Sequence, residues 1–219
     1  MLTTKVIHSS QPATASVIWL HGLGASADDF MPMVPNLDLG ANHAIRFVFP
    51  NAPTRSITIT GGMSMQAWYD ITGFTLESRE DLAGLEMSQL AIEKLIEHEI
   101  AQGIAPERII LGGFSQGGAL SLFAGLQSRY RLGGLVSLSA YLPCALHTFS
   151  NSSIECQNTP IFMAHGTQDA VVKYDWGVTS KDALLANAYQ LEWHSFPIAH
   201  EACAEELHAL SGFLKKILT

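Results

Sequence analysis

The stretch Ile109-Ile110-Leu111-Gly112-Gly113-Phe114-Ser115-Gln116-Gly117-Gly118-Ala119-Leu120 constrains the fold more than any other part of the chain. It reads as an apolar strand, an abrupt turn and the opening of a helix, with one serine at the bend. Gly113-x-Ser115-x-Gly117 fits the pattern in which a serine sits on a sharp strand-to-helix turn with its hydroxyl exposed. The glycines have a steric reason. They flank a reversal expected to force Ser115 to positive φ, where larger side chains would collide with the neighbouring strand and helix. The helix start behind Ser115 aims free N–H groups at any anion formed beside it. The same pentapeptide also serves as a plain strand-to-helix turn, so Ser115 needs partners elsewhere before it means chemistry.

Around this stretch, strand-like and helix-like segments alternate, which predicts an α/β fold with a mostly parallel sheet in one domain, residues 1–219. Strands are expected at residues 5–9 (an edge), 16–20, 46–49, 109–114, 135–138, 160–164 and 190–196. Most are unbroken apolar runs, as in strands covered on both faces. Helices are expected over residues 79–102, from Ser115 to about Arg129, 176–188, and at the C-terminus to Leu218. In the first of these, Met87, Leu90, Ala91 and Leu95 recur at helical spacing and define the expected buried face. Residues 143–158 read as a polar loop.

With 47% apolar and 15% charged residues in 219, the composition is that of a globular chain with a substantial core. A net charge of −8 and the absence of any Lys/Arg run argue against nucleic acid and anionic membrane surfaces as partners. The apolar runs are too short to span a bilayer, and the first residues lack a secretory plan, so a cytoplasmic protein without a stable membrane anchor is expected. Cys144, Cys156 and Cys203 show no metal-ligand spacing and read as idle thiols in a reducing compartment, with a Cys144–Cys156 bridge left open.

Residues 54–78 show no convincing period. They carry Gly61-Gly62 and scattered large apolar groups, Met63, Met65, Trp68, Tyr69, Ile71, Phe74 and Leu76. A loop this long in a compact domain is usually functional or disordered, and its aromatic content disfavours disorder. It is read as a wall over a site, with ordinary core as the competing reading.

Ligands of open α/β sheets bind beyond the carboxyl ends of the strands. Four features fall there: His21-Gly22-Leu23-Gly24, Ser115, Asp169 and His200. Ser115 needs a base, because a serine hydroxyl is a weak nucleophile until a neighbour accepts its proton. The base needs a partner that fixes its tautomer and stabilises its cation. His200 lies in a loop past a strand end, whereas His194 lies within a strand and His208 within the last helix. Asp169 ends a strand-to-loop segment, while Asp175 and Asp182 lie further along, near or within the next helix. The order Ser, Asp, His is that of α/β-hydrolases. The oxyanion donors are expected to be the N–H groups of Gln116 and Leu23. His21 and His165 are read as satisfying backbone groups rather than binding metal, since no third ligand with suitable spacing appears.

At these residues the chain resembles the carboxylesterase/acyl-protein thioesterase family of small α/β-hydrolases, also called phospholipase/carboxylesterase. The resemblance rests on Leu20-His21-Gly22-Leu23-Gly24, Asn51-Ala52-Pro53, Ala67-Trp68-Tyr69-Asp70, the segment around Ser115, and His165-Gly166-Thr167-Gln168-Asp169. It implies an α/β-hydrolase fold of about seven strands with helices on both faces and no large cap domain. It also implies hydrolysis of esters or thioesters through an acyl-serine, without a cofactor. By that likeness Ser115 is the nucleophile, Asp169 the orienting acid and His200 the base. Ile198 and Glu201 depart from the Met and Ser common in the family, and Glu201 is expected to favour the His200 imidazolium. The resulting expectation is a serine carboxylesterase for short to medium acyl esters. Met63, Trp68, Ile71, Phe74, Leu76, Val171 and Val172 would form its acyl wall. The alternatives are a thioesterase or lysophospholipase for longer chains, and a silent hydrolase-fold binding module. A homodimer is compatible with exposed apolar loop residues.

Overall fold

The computed structural model describes residues 2–9, 11–40, 43–76 and 80–218. Seven strands form one sheet: β1 (Thr4–Ile7), β2 (Ala15–Leu20), β3 (Ile45–Pro50), β6 (Ile109–Phe114), β7 (Gly134–Leu138), β8 (Ile161–Gly166) and β9 (Leu191–Phe196). Their spatial order is β1-β3-β2-β6-β7-β8-β9. Only β1 runs antiparallel, against β3, as suits a short polar edge strand. Two further strands, β4 (Thr54–Ile57) and β5 (Met63–Gln66), form a separate antiparallel hairpin. The helices are α1 (Ala27–Phe30), α2 (Leu82–Ala101), α3 (Gln116–Leu126), α4 (Ala145–Ser150), α5 (Tyr174–Ala186) and α6 (Ala204–Leu218).

The unbroken apolar strands are explained by a core on each face of the sheet. Successive side chains of β2 part company: Ile18 and Leu20 pack with residues of α2, α3 and α5. Val17 and Trp19 pack on the other side with Ala27 of α1 and with Leu210, Phe213 and Leu214 of α6. The described residues form an α/β-hydrolase arrangement with no separate cap domain.

Three expectations need correction. In α2 the buried face is Leu85, Ser88, Ile92, Leu95, Ile96 and Glu99, whereas Met87 and Leu90 are exposed. Both sets keep helical spacing, and the one that meets the sheet is decided by tertiary packing. The expected first residue of this helix, Arg79, lies outside the described residues. The stretch after Pro53 is not wholly irregular, because Gly61 (φ 69°) and Gly62 (φ 87°) turn β4 back into β5. The segment expected as a polar loop at residues 143–158 contains α4 and a short 3₁₀ turn, Ile154–Cys156.

Cys144, Cys156 and Cys203 are all free thiols. Burial pushes the Cys144 thiol up to about 12 and the Cys156 thiol up to about 11, so neither is poised as a nucleophile. One buried group is unusual. Glu206, in the first turn of α6, is wholly buried, and neither carboxylate oxygen has a hydrogen-bond partner among the described residues. Burial pushes its carboxyl up to about 7.

Candidate active site

Ser115 sits between the end of β6 and the start of α3 with φ 54° and ψ −120°, a backbone conformation costly for a residue with a side chain. Its neighbours show why the bend needs glycine. A Cβ on Gly113 would lie 2.6 Å from the Leu20 carbonyl oxygen, and one on Gly117 would lie 2.2 Å from the same atom. The strained serine is held by its N–H bond to the Leu138 oxygen, at 2.9 Å, and by its own carbonyl, which accepts from Ala119 N–H at 2.9 Å.

β8 and β9 bring the other two residues to the same end of the sheet. His200 Nε2 lies 2.9 Å from Ser115 Oγ, and His200 Nδ1 lies 2.6 Å from Asp169 Oδ2. Asp169 is locked in turn, because its Oδ1 accepts from the N–H groups of Val171 and Val172 at 2.8 and 2.9 Å. Burial by itself would raise the Asp169 carboxyl. Hydrogen bonds from His165 and His200, the charge of His200 and the Val172 N–H outweigh it and hold the carboxyl well below the usual carboxylate range. A fixed anion on Nδ1 directs the Nε2 lone pair at Ser115 and stabilises the imidazolium once a proton arrives.

The loop after β2 borders this set. A Cβ on Gly22 would stand 3.5 Å from the Ser115 Cβ. Leu23 N–H has no backbone acceptor among the described residues, and Gln116 N–H belongs to the first turn of α3, where no intrahelical acceptor exists. The loop is held from behind. His21 Nδ1 donates to Gly22 O at 2.7 Å while its Nε2 accepts from Ala52 N–H at 3.0 Å, a pattern that needs the neutral ring. Burial depresses the His21 imidazole accordingly, against the opposing bond to Gly22 and the charge of Asp29. His165 likewise serves the backbone, donating from Nε2 to Val172 O at 2.8 Å. Among the described residues no group of three or more His, Cys, Asp or Glu could hold a metal ion.

Trp68 is the first site residue that the structure moves. Expected in the acyl wall, it is fully buried in the core instead. Its indole N–H donates to His21 O at 2.8 Å, its backbone N–H donates to Gln116 Oε1 at 2.9 Å, and Ser88 Oγ donates to its carbonyl. Gln116 Nε2 donates to Tyr69 O at 2.7 Å, so one side chain spans two consecutive residues of this segment.

A cavity of about 380 Å³ opens over Ser115 and His200. Of the expected wall residues, Ile71, Val171 and Val172 line it. Met63 and Phe74 are largely exposed and Leu76 packs at the edge of the core; none of the three lines the cavity. Ala25, Asp29, Phe30, Phe114 and Tyr141 line it without having been singled out. Three of these had a readable signal: Phe114 adjoins the serine, and Asp29 and Phe30 belong to the short helix just after the His21–Gly24 loop. Tyr141 lies past the end of β7, and nothing in its sequence surroundings marks it.

A sequence profile of the phospholipase/carboxylesterase family matches residues 2–218. An acyl-protein thioesterase 1 of Neurospora crassa is 40% identical over 220 residues, covering 94% of this chain and 87% of the relative. An acyl-protein thioesterase 1 homolog of Dictyostelium discoideum is 44% identical over 180 residues, covering 82% and 81%. Among solved structures, an acyl-protein thioesterase 2 of Zea mays superposes with a TM-score of 0.89 at 27% identity, covering the whole of both chains. No helix among the described residues is long and apolar enough to cross a membrane. By its sequence profile, its relatives and its fold, this chain belongs to the phospholipase/carboxylesterase family of α/β-hydrolases.

Proposed function

We propose that this carboxylic ester hydrolase cleaves short to medium acyl esters through an acyl-enzyme formed on Ser115. His200 Nε2 accepts the Ser115 proton as Oγ attacks the carbonyl carbon. The oxyanion then lies between the N–H groups of Leu23 and Gln116, and His200 returns the proton to the departing alcohol. Water repeats the sequence and frees the acid. Asp169 stays ionised throughout and holds the imidazole.

The observation that carries this reading is the Ser115–His200–Asp169 chain, at 2.9 and 2.6 Å, opening directly into the apolar cavity. At roughly 30 Å³ per water-sized group, 380 Å³ accommodates about a dozen heavy atoms with the ester included. That favours short and medium acyl groups. One chain supplies every residue of the site, so a homodimer is not required for catalysis. The three free thiols fit a cytoplasmic location.

A second reading, cleavage of longer acyl thioesters, draws support from the relatives named acyl-protein thioesterase. It also draws support from Val171, which lines the cavity yet is more than half exposed, leaving the acyl wall open at its rim. Turnover of p-nitrophenyl esters from acetyl to palmitoyl, beside matched thioesters, separates the two. Ser115→Ala abolishes both turnover and covalent labelling by a fluorophosphonate. Retention of either activity in that variant removes Ser115 from the mechanism.

A further inference from the structure

The residues that line the cavity over Ser115 fall into two groups of different chemistry. One is built from Tyr69, Ile71, Tyr141, Val171 and Val172 and carries no charged side chain. The other comes from Ala25 in the loop before α1, from Asp29 and Phe30 of α1, and from Phe114, the residue before the serine. The second group runs into the base, since the Phe30 and Phe114 rings are 5.3 Å apart and the Phe114 and His200 rings 4.8 Å apart. Val171 and Val172 reach the base only through Asp169, on its Nδ1 side, whereas the Phe114 ring packs on the imidazole itself. Because His200 hands its proton to the departing group, the Phe30–Phe114 side is assigned to that group and the uncharged side to the acyl chain.

Among the residues lining the cavity, Asp29 is the one with a permanent charge at neutral pH, and no lysine or arginine lines it. Its carboxylate does not move freely. Ser26 N–H and Ser26 Oγ donate to Oδ2 at 2.7 and 2.8 Å as part of the α1 capping box, and neither bond uses Oδ1. The Lys5 ammonium is engaged by the preceding residue, Asp28, at 2.6 Å. Asp29 is exposed to the solvent that fills the cavity, and a carboxylate held by two bonds on a lining that also carries the Phe30 and Phe114 rings suits an organic cation, because both the carboxylate and the ring quadrupoles attract it. The overall charge of −8 acts in the same direction on approach.

We propose that the leaving group of the preferred substrate is cationic, carrying an ammonium-type charge close to the scissile bond that lodges against Asp29 and Phe30. This rests on the esterase reading above. Substrates with an anionic leaving group are correspondingly rejected.

The test uses three thioesters of one acyl group: butyrylthiocholine, its neutral isostere S-(3,3-dimethylbutyl) thiobutyrate, and the S-butyryl derivative of 3-mercaptopropanoate, all followed by thiol release. In the wild type, kcat/KM for the cationic thioester exceeds that for the neutral isostere roughly tenfold, and the anionic one is slowest. The cationic preference falls as salt is added. In Asp29→Asn, which keeps an oxygen for the Ser26 bonds, the cation-to-neutral ratio drops towards one. In Phe30→Leu it drops in part. Fluorophosphonate labelling establishes that each variant is folded and has an intact Ser115. A ratio near one in the wild type, or a ratio untouched by Asp29→Asn, overturns the inference while leaving the esterase reading in place. Failure of the wild type to cleave any of the three and to take the label overturns both.

Discussion

Glu206 gives a prediction with a worked magnitude. Its carboxyl is wholly buried without a hydrogen-bond partner among the described residues, and burial pushes it from the ordinary 4.5 to about 7. Between those values the unfolded chain has released a proton that the folded chain still holds. The unfolded state thus binds fewer protons, and stability falls as pH rises across that window. It is at its full value below pH 4.5 and constant again beyond about 7. At about 1.4 kcal/mol per pH unit, the loss attributable to this one group is about 3 kcal/mol. Glu206→Gln keeps the shape and removes the titration. Urea unfolding of both proteins at about pH 4 and about pH 8 isolates the effect, because the other titrating groups are common to both and cancel. The stability of the variant relative to the wild type should rise by about 3 kcal/mol between the two conditions, a difference of roughly 6–12 °C in Tm. A difference that is the same at both pH values, or that moves against the variant at high pH, would refute the reasoning. Either result means that Glu206 is ionised in the fold and has found a partner.

Two further predictions concern the site. Asp169→Asn replaces the anion on His200 Nδ1 with a group that can present an N–H, favouring the wrong tautomer; kcat is expected to fall about 10⁴-fold while the protein still binds substrate, which a comparison of kcat with KM reads directly. Trp68→Phe deletes the indole bond to His21 O and leaves that buried carbonyl unpaired, at a cost of about 1–3 kcal/mol in stability. It also loosens the loop that carries Leu23, so kcat is expected to drop about tenfold with little change in KM. An unaltered kcat means that the loop is held without the indole.

The parts legible in the sequence were those encoded by local pattern. Buried parallel strands announce themselves as short apolar runs, and β2, β3, β6, β7 and β8 lie close to where such runs predict them. Ser115 was legible because only glycines tolerate the approach of Gly113 and Gly117 to the Leu20 carbonyl. His200 and Asp169 could be singled out because each follows the end of a strand. What escaped was decided by tertiary context. Helix α2 offers two apolar stripes at helical spacing, and only the sheet chooses Leu85, Ile92 and Ile96 over Met87 and Leu90. The β4–β5 hairpin pairs only with itself in a polar sequence, so its strands carry no buried run. Trp68 and Ile71 are three residues apart and similarly apolar, yet one is fully buried in the core and the other lines the cavity. Hydrophobicity reports that a side chain avoids water and is silent on whether a substrate takes the water's place.

Gln116 ties two duties together. Its side chain grips Trp68 N–H and Tyr69 O, while its backbone opens the helix behind the serine. Residues 68 and 69 are therefore poor places to alter selectivity, since reshaping them pulls on the residue adjoining Ser115. Ile71, Val171 and Phe30 line the same cavity without touching that linkage. A lineage, or a protein engineer, seeking a new substrate range can vary those three side chains while the grip of Gln116 on residues 68 and 69 stays in place.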